Sequence, residues 1–600
     1  MQASMPKNIL FFSLFTGVFT TLIQYAGFGI SDQFEQLPLI YRALDSNYLV
    51  NDFFVNASET HPSRLFYTKF IAIILSSGIN LASLFLFLTI ICNIFIAFAV
   101  GLIAKEIFKN NFAVYLSIAL SMSIETSAIA STNPFLSLEY LTPSSIAVPL
   151  LLFSLYYLII NKRTLAIVFT TAAGLFHPLL GIEMGAFICL LLVSSDIFHS
   201  KLKLKTVLTK NISPLFLFLA GSITLLYPFT WYDKIDVQSF KSILADFRHP
   251  HHYLFTSFSS KDITTFLAMN VFSLYCLFLL PKTLLLNKQT LFLFRLTYIL
   301  LFILLLCSYI FTEIIPIRYA IIAQTWRFAD LLKWLYILLL GGYIASNITE
   351  KLTISDVVRM LASINPVTSL IALWNRKDKA KLWMTIASIF AIIYIYFVFH
   401  YSYFSIILLV VYSYILVISL ISASYGVVFA ITSLMAYIVF IVAAPNFKTD
   451  VPFIDKYIAK QTEIFMPPYG LSNISKEKAD IARFIKENTP SDALILSPVD
   501  FSYLRILSNR ALVVDFKAFP FDDRSMKEWH QRIVNCYGTP KSTGFNMLPQ
   551  LNLNYSNLTD TDLLRLKELY GIRYAVVSVN RRTKFPVVFQ SQNFRVLNLD

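Results

Sequence analysis

Charge is scarce in this chain: Asp, Glu, Lys and Arg make up 14% of 600 residues, where soluble domains carry about 25%. Glycine is scarce too, at 16 residues, which excludes collagen-like and glycine-rich low-complexity chains. Cysteine offers no scaffold. Of the five present, Cys92, Cys189, Cys276 and Cys307 fall inside apolar runs, leaving Cys536 alone in the polar tail, so no disulfide framework follows. The tail holds no GxGxxG or phosphate-loop glycine cluster, and nucleotide binding is not indicated. No internal repeat is visible, which argues against the inverted-repeat build of many secondary transporters.

What is abundant is apolar surface: 56% of residues are hydrophobic and 55 are Phe, with a mean hydropathy of +0.65. A formal charge of +14 would suggest nucleic acid in a soluble protein. Here the basic residues sit mostly in short loops between apolar runs, so they report membrane topology, and no nucleic-acid partner is expected. A spanning helix needs about 20 apolar residues. Segments of that kind lie at 8–30, 80–104, 112–131, 144–161, 164–177, 181–198, 212–230, 263–281, 290–312, 327–348, 382–400, 403–421 and 424–444. The pattern predicts a polytopic α-helical membrane protein with about thirteen spans. The fifth segment is short. The first lacks a small-x-small cleavage site and reads as an uncleaved helix.

Lys105 and Lys109, Lys162 and Arg163, Lys201 to Lys210, Lys282 and Lys288, and Arg376 to Lys381 occupy alternate loops. By the positive-inside rule these loops and the N-terminus are cytoplasmic. The loop 31–63, with Asp32, Glu35, Asp45, Asp52 and Glu59, then faces outward, as does everything after residue 445. Segments 33–44 and 64–78 mix apolar and charged residues at helical spacing, as interfacial helices do, and so does 357–374 on the cytoplasmic side. The expected division is a transmembrane domain over 1–445 and a small extracytoplasmic α/β domain over 446–600. In the tail, helices are predicted at 476–487, 525–536 and 559–570. Strands are predicted at 493–498, 511–516, 573–579 and 594–598.

Ionisable groups near a membrane interior are costly, and their default reading is functional. Asp32 and Gln33 follow the first span at once, with Glu35 one turn on. Asp32 there is a general base, a metal ligand or the cap of helix 33–44. Asp52 is a second acidic candidate. His177 and Glu183 flank the break at Pro178 in GLFHPLLGIE (174–183). Arg248-His249-Pro250-His251-His252-Tyr253 gathers three histidines within four residues, suited to a phosphate or metal contact. Its proline argues against a regular helical zinc site. Arg318 and Arg327 bracket an outer turn, and guanidinium matches phosphate oxygens.

On these residues the chain resembles the GT-C class of membrane glycosyltransferases: a cytoplasmic N-terminus, an acidic first outer loop with interfacial helices, many spans and an outer α/β domain. It also resembles a bacterial membrane family at Asp32-Gln33, Asp52, His177-Pro178, Pro250-His251-His252, Asn509-Arg510, Phe519-Pro520-Phe521 and Trp529. The resemblance implies an integral protein of the bacterial plasma membrane. It implies a polyprenyl-phosphate-linked sugar donor, with transfer to an acceptor at the extracytoplasmic face. Asp32 and Glu35 would be catalytic. Gln33, Asp52, His177, Glu183, Arg248, His251, His252, Arg318 and Arg327 would bind substrate. The class's Asp-x-Asp or Asp-Glu form is replaced here by Asp32-Gln33-Phe34-Glu35, so a divalent metal ion is an open candidate with no assigned ligands. The alternatives are a transporter or lipid flippase of the envelope, or a non-catalytic membrane scaffold.

Overall fold

The computed structural model describes residues 5–108, 110–124, 129–130, 137–279, 288–347, 366–373, 411–412, 428, 431–436, 463–465 and 467–600. The chain divides into two compact units. The first comprises Met1–Tyr25, Phe87–Leu225 and His251–Ala443, the second Ala26–Leu86, Leu226–Pro250 and Ala444–Asp600.

Among the described residues six helices are long and apolar enough to cross a membrane: Leu81–Ile107, Pro178–Phe198, Leu204–Trp231, Ser260–Leu279, Lys288–Ile314 and Arg318–Ser346. Shorter apolar helices cover Asn8–Gln24, Asn111–Ser123, Pro143–Ile159 and Arg163–Phe176. Each expected segment up to residue 348 carries one of these, and the chain is a polytopic α-helical membrane protein. The segment 382–400 lies outside the described residues, as does most of 403–421 and 424–444. Of the expected interfacial helix 357–374, the stretch Pro366–Leu373 is described, and it is helical.

The first helix stops at Gln24, short of the expected residue 30. Gly27 (φ +112°) and Gly29 (φ +72°) take left-handed backbone there, a conformation costly for residues with a Cβ. A Cβ on Gly27 would lie 2.5 Å from Ser472 Cβ. Phe28 N donates to Ser472 Oγ at 3.0 Å, and Ser472 N donates to Phe28 O at 2.8 Å.

In the first unit the chain turns back at Pro178, as the sequence predicts. Proline has no N–H to lose at the first position of a helix. His177 fills the gap, its Nδ1 accepting from Leu180 N at 3.4 Å. A Cβ on Gly181 would come within 2.3 Å of Gly174 Cα, so small residues set the close crossing of helices 163–176 and 178–198. At the far end of helix 178–198, Asp196 is buried. It accepts from Arg163 at 2.5 and 3.0 Å, Lys210 at 2.8 Å and Asn211 at 2.8 Å. One carboxylate thus ties three helices together.

In the second unit the first loop forms helices Gln33–Leu44, Phe53–Ser58 and Pro62–Leu75. The tail forms a five-stranded sheet: β1 (Leu494–Leu496), β2 (Ala511–Leu512), β3 (Tyr574–Ser578), β4 (Val587–Gln590) and β5 (Phe594–Asn598), in the order β2-β1-β3-β5-β4. β1 runs parallel to β2 and β3, and β5 antiparallel to β3 and β4. The three expected helices are present at Lys476–Asn488, Asp523–Tyr537 and Asp560–Tyr570. Ser475, Asp522 and Thr559 cap them through side chains that accept backbone N–H groups, which satisfies donors that a helix start leaves open. Strand β4 and the helices Tyr503–Ser508 and Leu548–Ser556 were not foreseen. β4 is an exposed edge with Val587 and Val588 in the open, and lacks the buried alternation that marks a strand.

Candidate active site

Within the second unit, Asp32 and Arg248 meet one short stretch of the tail, Asp515–Phe519, directly, and Asp52 and Glu35 are joined to it through Arg505 and Arg64. Asp52 caps helix Phe53–Ser58, its Oδ1 accepting from Val55 N at 3.0 Å. Its Oδ2 accepts from Arg505 Nε at 2.8 Å and from Leu512 N at 3.0 Å. Arg505 reaches Asp515 Oδ2 at 2.6 Å. Asp515 Oδ1 accepts from Ser502 Oγ at 2.7 Å and Ala518 N at 2.8 Å. All three charged side chains are buried. Burial lowers the Arg505 pKa, but the two carboxylates outweigh it and hold the guanidinium charged. Asp52 is therefore fully engaged as a brace between the first loop and the tail.

Glu35 is engaged as well. Arg64 Nη2 donates to Glu35 Oε2 at 2.5 Å and to Phe519 O at 3.1 Å, with its guanidinium 4.7 Å from the Phe521 ring centre. Arg248 donates from Nη2 to Lys517 O at 3.1 Å and lies 4.5 Å from the Phe516 ring centre. Its Nε and Nη1 are buried without a hydrogen-bond partner among the described residues. Burial pulls the Arg248 pKa down to about 10, while Glu35, Asp32 and Asp515 act to raise it. Gln33 closes the turn before its own helix, its Oε1 accepting from Gly29 N at 2.7 Å and Ile30 N at 3.3 Å.

Asp32 differs from its neighbours. It stands at the N-cap position of helix Gln33–Leu44, but its side chain makes no capping bond. Lys517 Nζ donates to its Oδ1 at 2.5 Å. The side chain is 47% exposed, against 13% for Glu35 and none for Asp52. Of the three acids, Asp32 is the most exposed.

The remaining expected residues belong to the first unit. His177 caps helix 178–198, as above. Pro250 does not exclude helix but starts a single turn, Pro250–Tyr253, since proline suits that first position. His252 is buried with Nδ1 3.1 Å from Ala130 O, and its ring centre lies 4.1 Å from that of His251. Arg318 begins helix Arg318–Ala323. Gln324 follows in left-handed backbone and donates from Nε2 to Tyr253 Oη. Arg327 lies close enough to act electrostatically on both Glu183 and Tyr253. Glu183 Oε1, Gln324 Oε1 and Arg327 Nε are buried without hydrogen-bond partners among the described residues. Glu183, Tyr253, Gln324 and Arg327 thus form one polar group, two members of which sequence reasoning missed.

Among the described residues no three His, Cys, Asp or Glu side chains gather to hold a metal ion. The acids Asp32 and Glu35, which a divalent cation would need, are each matched to a basic side chain. The donor set does not fit a metal. Lys517, Arg64, Arg505 and Asp515 were also missed. Lys517 lies 485 positions from Asp32, and the visible signal was the charged and aromatic run DFKAFPF (515–521) after an apolar strand.

A family model described as a domain of unknown function (DUF6798) matches residues 476–536. That stretch includes Arg505, Asp515, Lys517 and Trp529. A search of the curated proteins finds no match. Among solved structures, ArnT from Cupriavidus metallidurans in the apo state is similar at 11% identity and a TM-score of 0.49, covering 97% of this chain and 95% of that one. The same protein bound to undecaprenyl phosphate gives 11% and 0.47, with 98% and 96% coverage. The Archaeoglobus fulgidus oligosaccharyltransferase in the apo form gives 11% and 0.46, with 96% and 70% coverage. At this identity and these TM-scores, no residue role is transferred from them.

Proposed function

We propose that the protein is a membrane glycosyltransferase that moves a sugar from a polyprenyl-phosphate-linked donor to a hydroxyl acceptor at the extracytoplasmic face. The observation that carries this reading is the half-open carboxylate of Asp32 beside a dense set of cationic side chains. In the step proposed, the acceptor oxygen bonds to the anomeric carbon as that carbon's bond to the phosphate oxygen breaks. The bonding pair leaves with the phosphate, and the acceptor proton passes to Asp32. Positive charge on Arg248, on which Asp32 acts electrostatically, stabilises the phosphate as it gains charge. Glu35, paired with Arg64, keeps the start of the first loop in place. In the first unit we assign Glu183, Tyr253, Gln324 and Arg327, together with Arg318 and with His177, His251 and His252 nearby in sequence, to substrate binding. The basic loops support an N-terminus in the cytoplasm, with residues 31–63 and the tail on the opposite side of a bacterial plasma membrane. About thirteen spans are consistent with that orientation.

The test uses the purified protein in detergent or liposomes, a panel of polyprenyl-phosphate sugars and a readout of released carrier phosphate. Release that depends on an acceptor and on Asp32 supports the reading. Movement of the intact donor across liposomes without cleavage of its sugar–phosphate bond favours a flippase instead.

A further inference from the structure

The stretch Asp515–Phe519 has more to do than support the first loop. Its Asp515 carboxylate takes Arg505, its Lys517 carbonyl takes Arg248, and its Phe519 carbonyl takes Arg64. Trp529 locks it from behind, donating from Nε1 to Asp515 O at 3.0 Å with its ring centre 4.8 Å from that of Phe519. Four anchors over five residues leave the backbone little freedom. From this fixed base one side chain reaches towards the half-open carboxylate: the Lys517 ammonium, 2.5 Å from Asp32 Oδ1. Its own side chain is 18% exposed and lies 5.6 Å from the Phe545 ring centre.

We infer that Lys517, supplied by the C-terminal domain, is a positioning residue of the reaction: it holds the Asp32 carboxylate aimed so that the acceptor proton has somewhere to go. This rests on the transferase reading above. A flexible carboxylate at a loop start samples many rotamers, and fixing one of them removes that loss from the reactive encounter. Of the neighbouring charges, Arg248 also acts on Asp32 electrostatically, but its hydrogen bond goes elsewhere. Glu35 and Arg64 neutralise each other, as do Arg505 and the pair Asp52 and Asp515 in part, and Arg248 contacts the backbone of Lys517 rather than Asp32 itself. The pair also gives the domain matched by the family model a task in the chemistry, because Lys517 lies inside residues 476–536.

The experiment is a pH profile of kcat/KM for sugar transfer by the full-length wild type, Lys517→Ala and Lys517→Arg, with thermal unfolding as a control. A nearby cation holds an aspartate pKa about 1–3 units down. Loss of the Lys517 charge is therefore expected to move the acid limb up, and to lower kcat about 10–100-fold as lost orienting partners do. Lys517→Arg is expected to keep the wild-type acid limb while losing part of kcat. An unmoved limb and rate in Lys517→Ala, with the wild type active, overturns the Lys517 assignment alone. So does an acid limb in folded Lys517→Arg as high as that expected of Lys517→Ala. No transfer by the wild type from any donor overturns the transferase reading beneath it.

Discussion

Within each unit, two carboxylates among the described residues differ sharply in their surroundings. On helix Pro178–Phe198, Asp196 receives Arg163, Lys210 and Asn211, while Glu183 Oε1 on the same helix is buried with no partner among the described residues. In the first loop, Asp52 is enclosed by Arg505 and two backbone N–H groups, while Asp32 meets Lys517 and water. What differs in the first loop is exposure, none for the Asp52 side chain against 47% for that of Asp32. A carboxylate with its lone pairs filled is a brace, and one that the fold leaves open is available for chemistry or binding.

The comparison is broken most directly at Asp32. Asp32→Asn is expected to lower sugar transfer by about 10²–10⁴-fold with the unfolding transition unmoved, checked by released carrier phosphate and by thermal melting. Asp52 lies on the other side of the comparison, and its partner shows it. Arg505→Met leaves Asp52 and Asp515 buried and unpaired, and is expected to destabilise the second unit by about 3–5 kcal/mol, read from hydrogen exchange across residues 494–598.

A pH effect sharpens the same point for the first loop. His61 is buried beside the rings of Phe229 and Tyr232. Burial first, and the Arg64 charge second, pull its pKa down from 6.5 to about 3. The folded state thus favours neutral His61, and its contribution is intact above pH 6.5. As pH falls from 6.5 towards 3 the unfolded chain takes up a proton that the folded one refuses. Stability is lost at up to about 1.4 kcal/mol per pH unit. His61→Gln is expected to flatten that slope in melts taken across the window. The smallest effect belongs to Glu183. Glu183→Gln disturbs no filled network, so stability is expected to stay within about 0.5 kcal/mol while donor binding weakens. A loss as large as that of Asp196→Asn in parallel melts would erase the distinction between the two ends of the helix.

The helices were legible because burial against lipid or protein leaves long apolar runs, and the break at His177-Pro178 was legible because proline forbids a continuous ladder. The end of the first helix was misplaced because Gly27 and Gly29 are as apolar as the run before them, and their positive φ shows only when Ser472 is beside them. Asp32 could be singled out from its position alone. Whether it is a base, a ligand or a cap depends on Lys517, and whether Asp52 is a site or a brace depends on Arg505. Both partners are hundreds of residues away, and no local period encodes such pairs. Tyr253 and Gln324 escaped notice because neither carries charge, yet both join the group around Arg327.

The second unit is assembled from three stretches that leave the ribosome far apart in time. Asp52 is made 453 residues before Arg505, which at about 5–20 residues per second is a wait of roughly 20–90 s. During it, Asp52 lacks Arg505, Asp32 lacks Lys517, and the Arg64 side chain lacks the Phe519 carbonyl. The first loop is thus made early and completed late. A chain stopped before residue 444 would carry it in a permanently unfinished state, its acids exposed to whatever cations the surroundings supply.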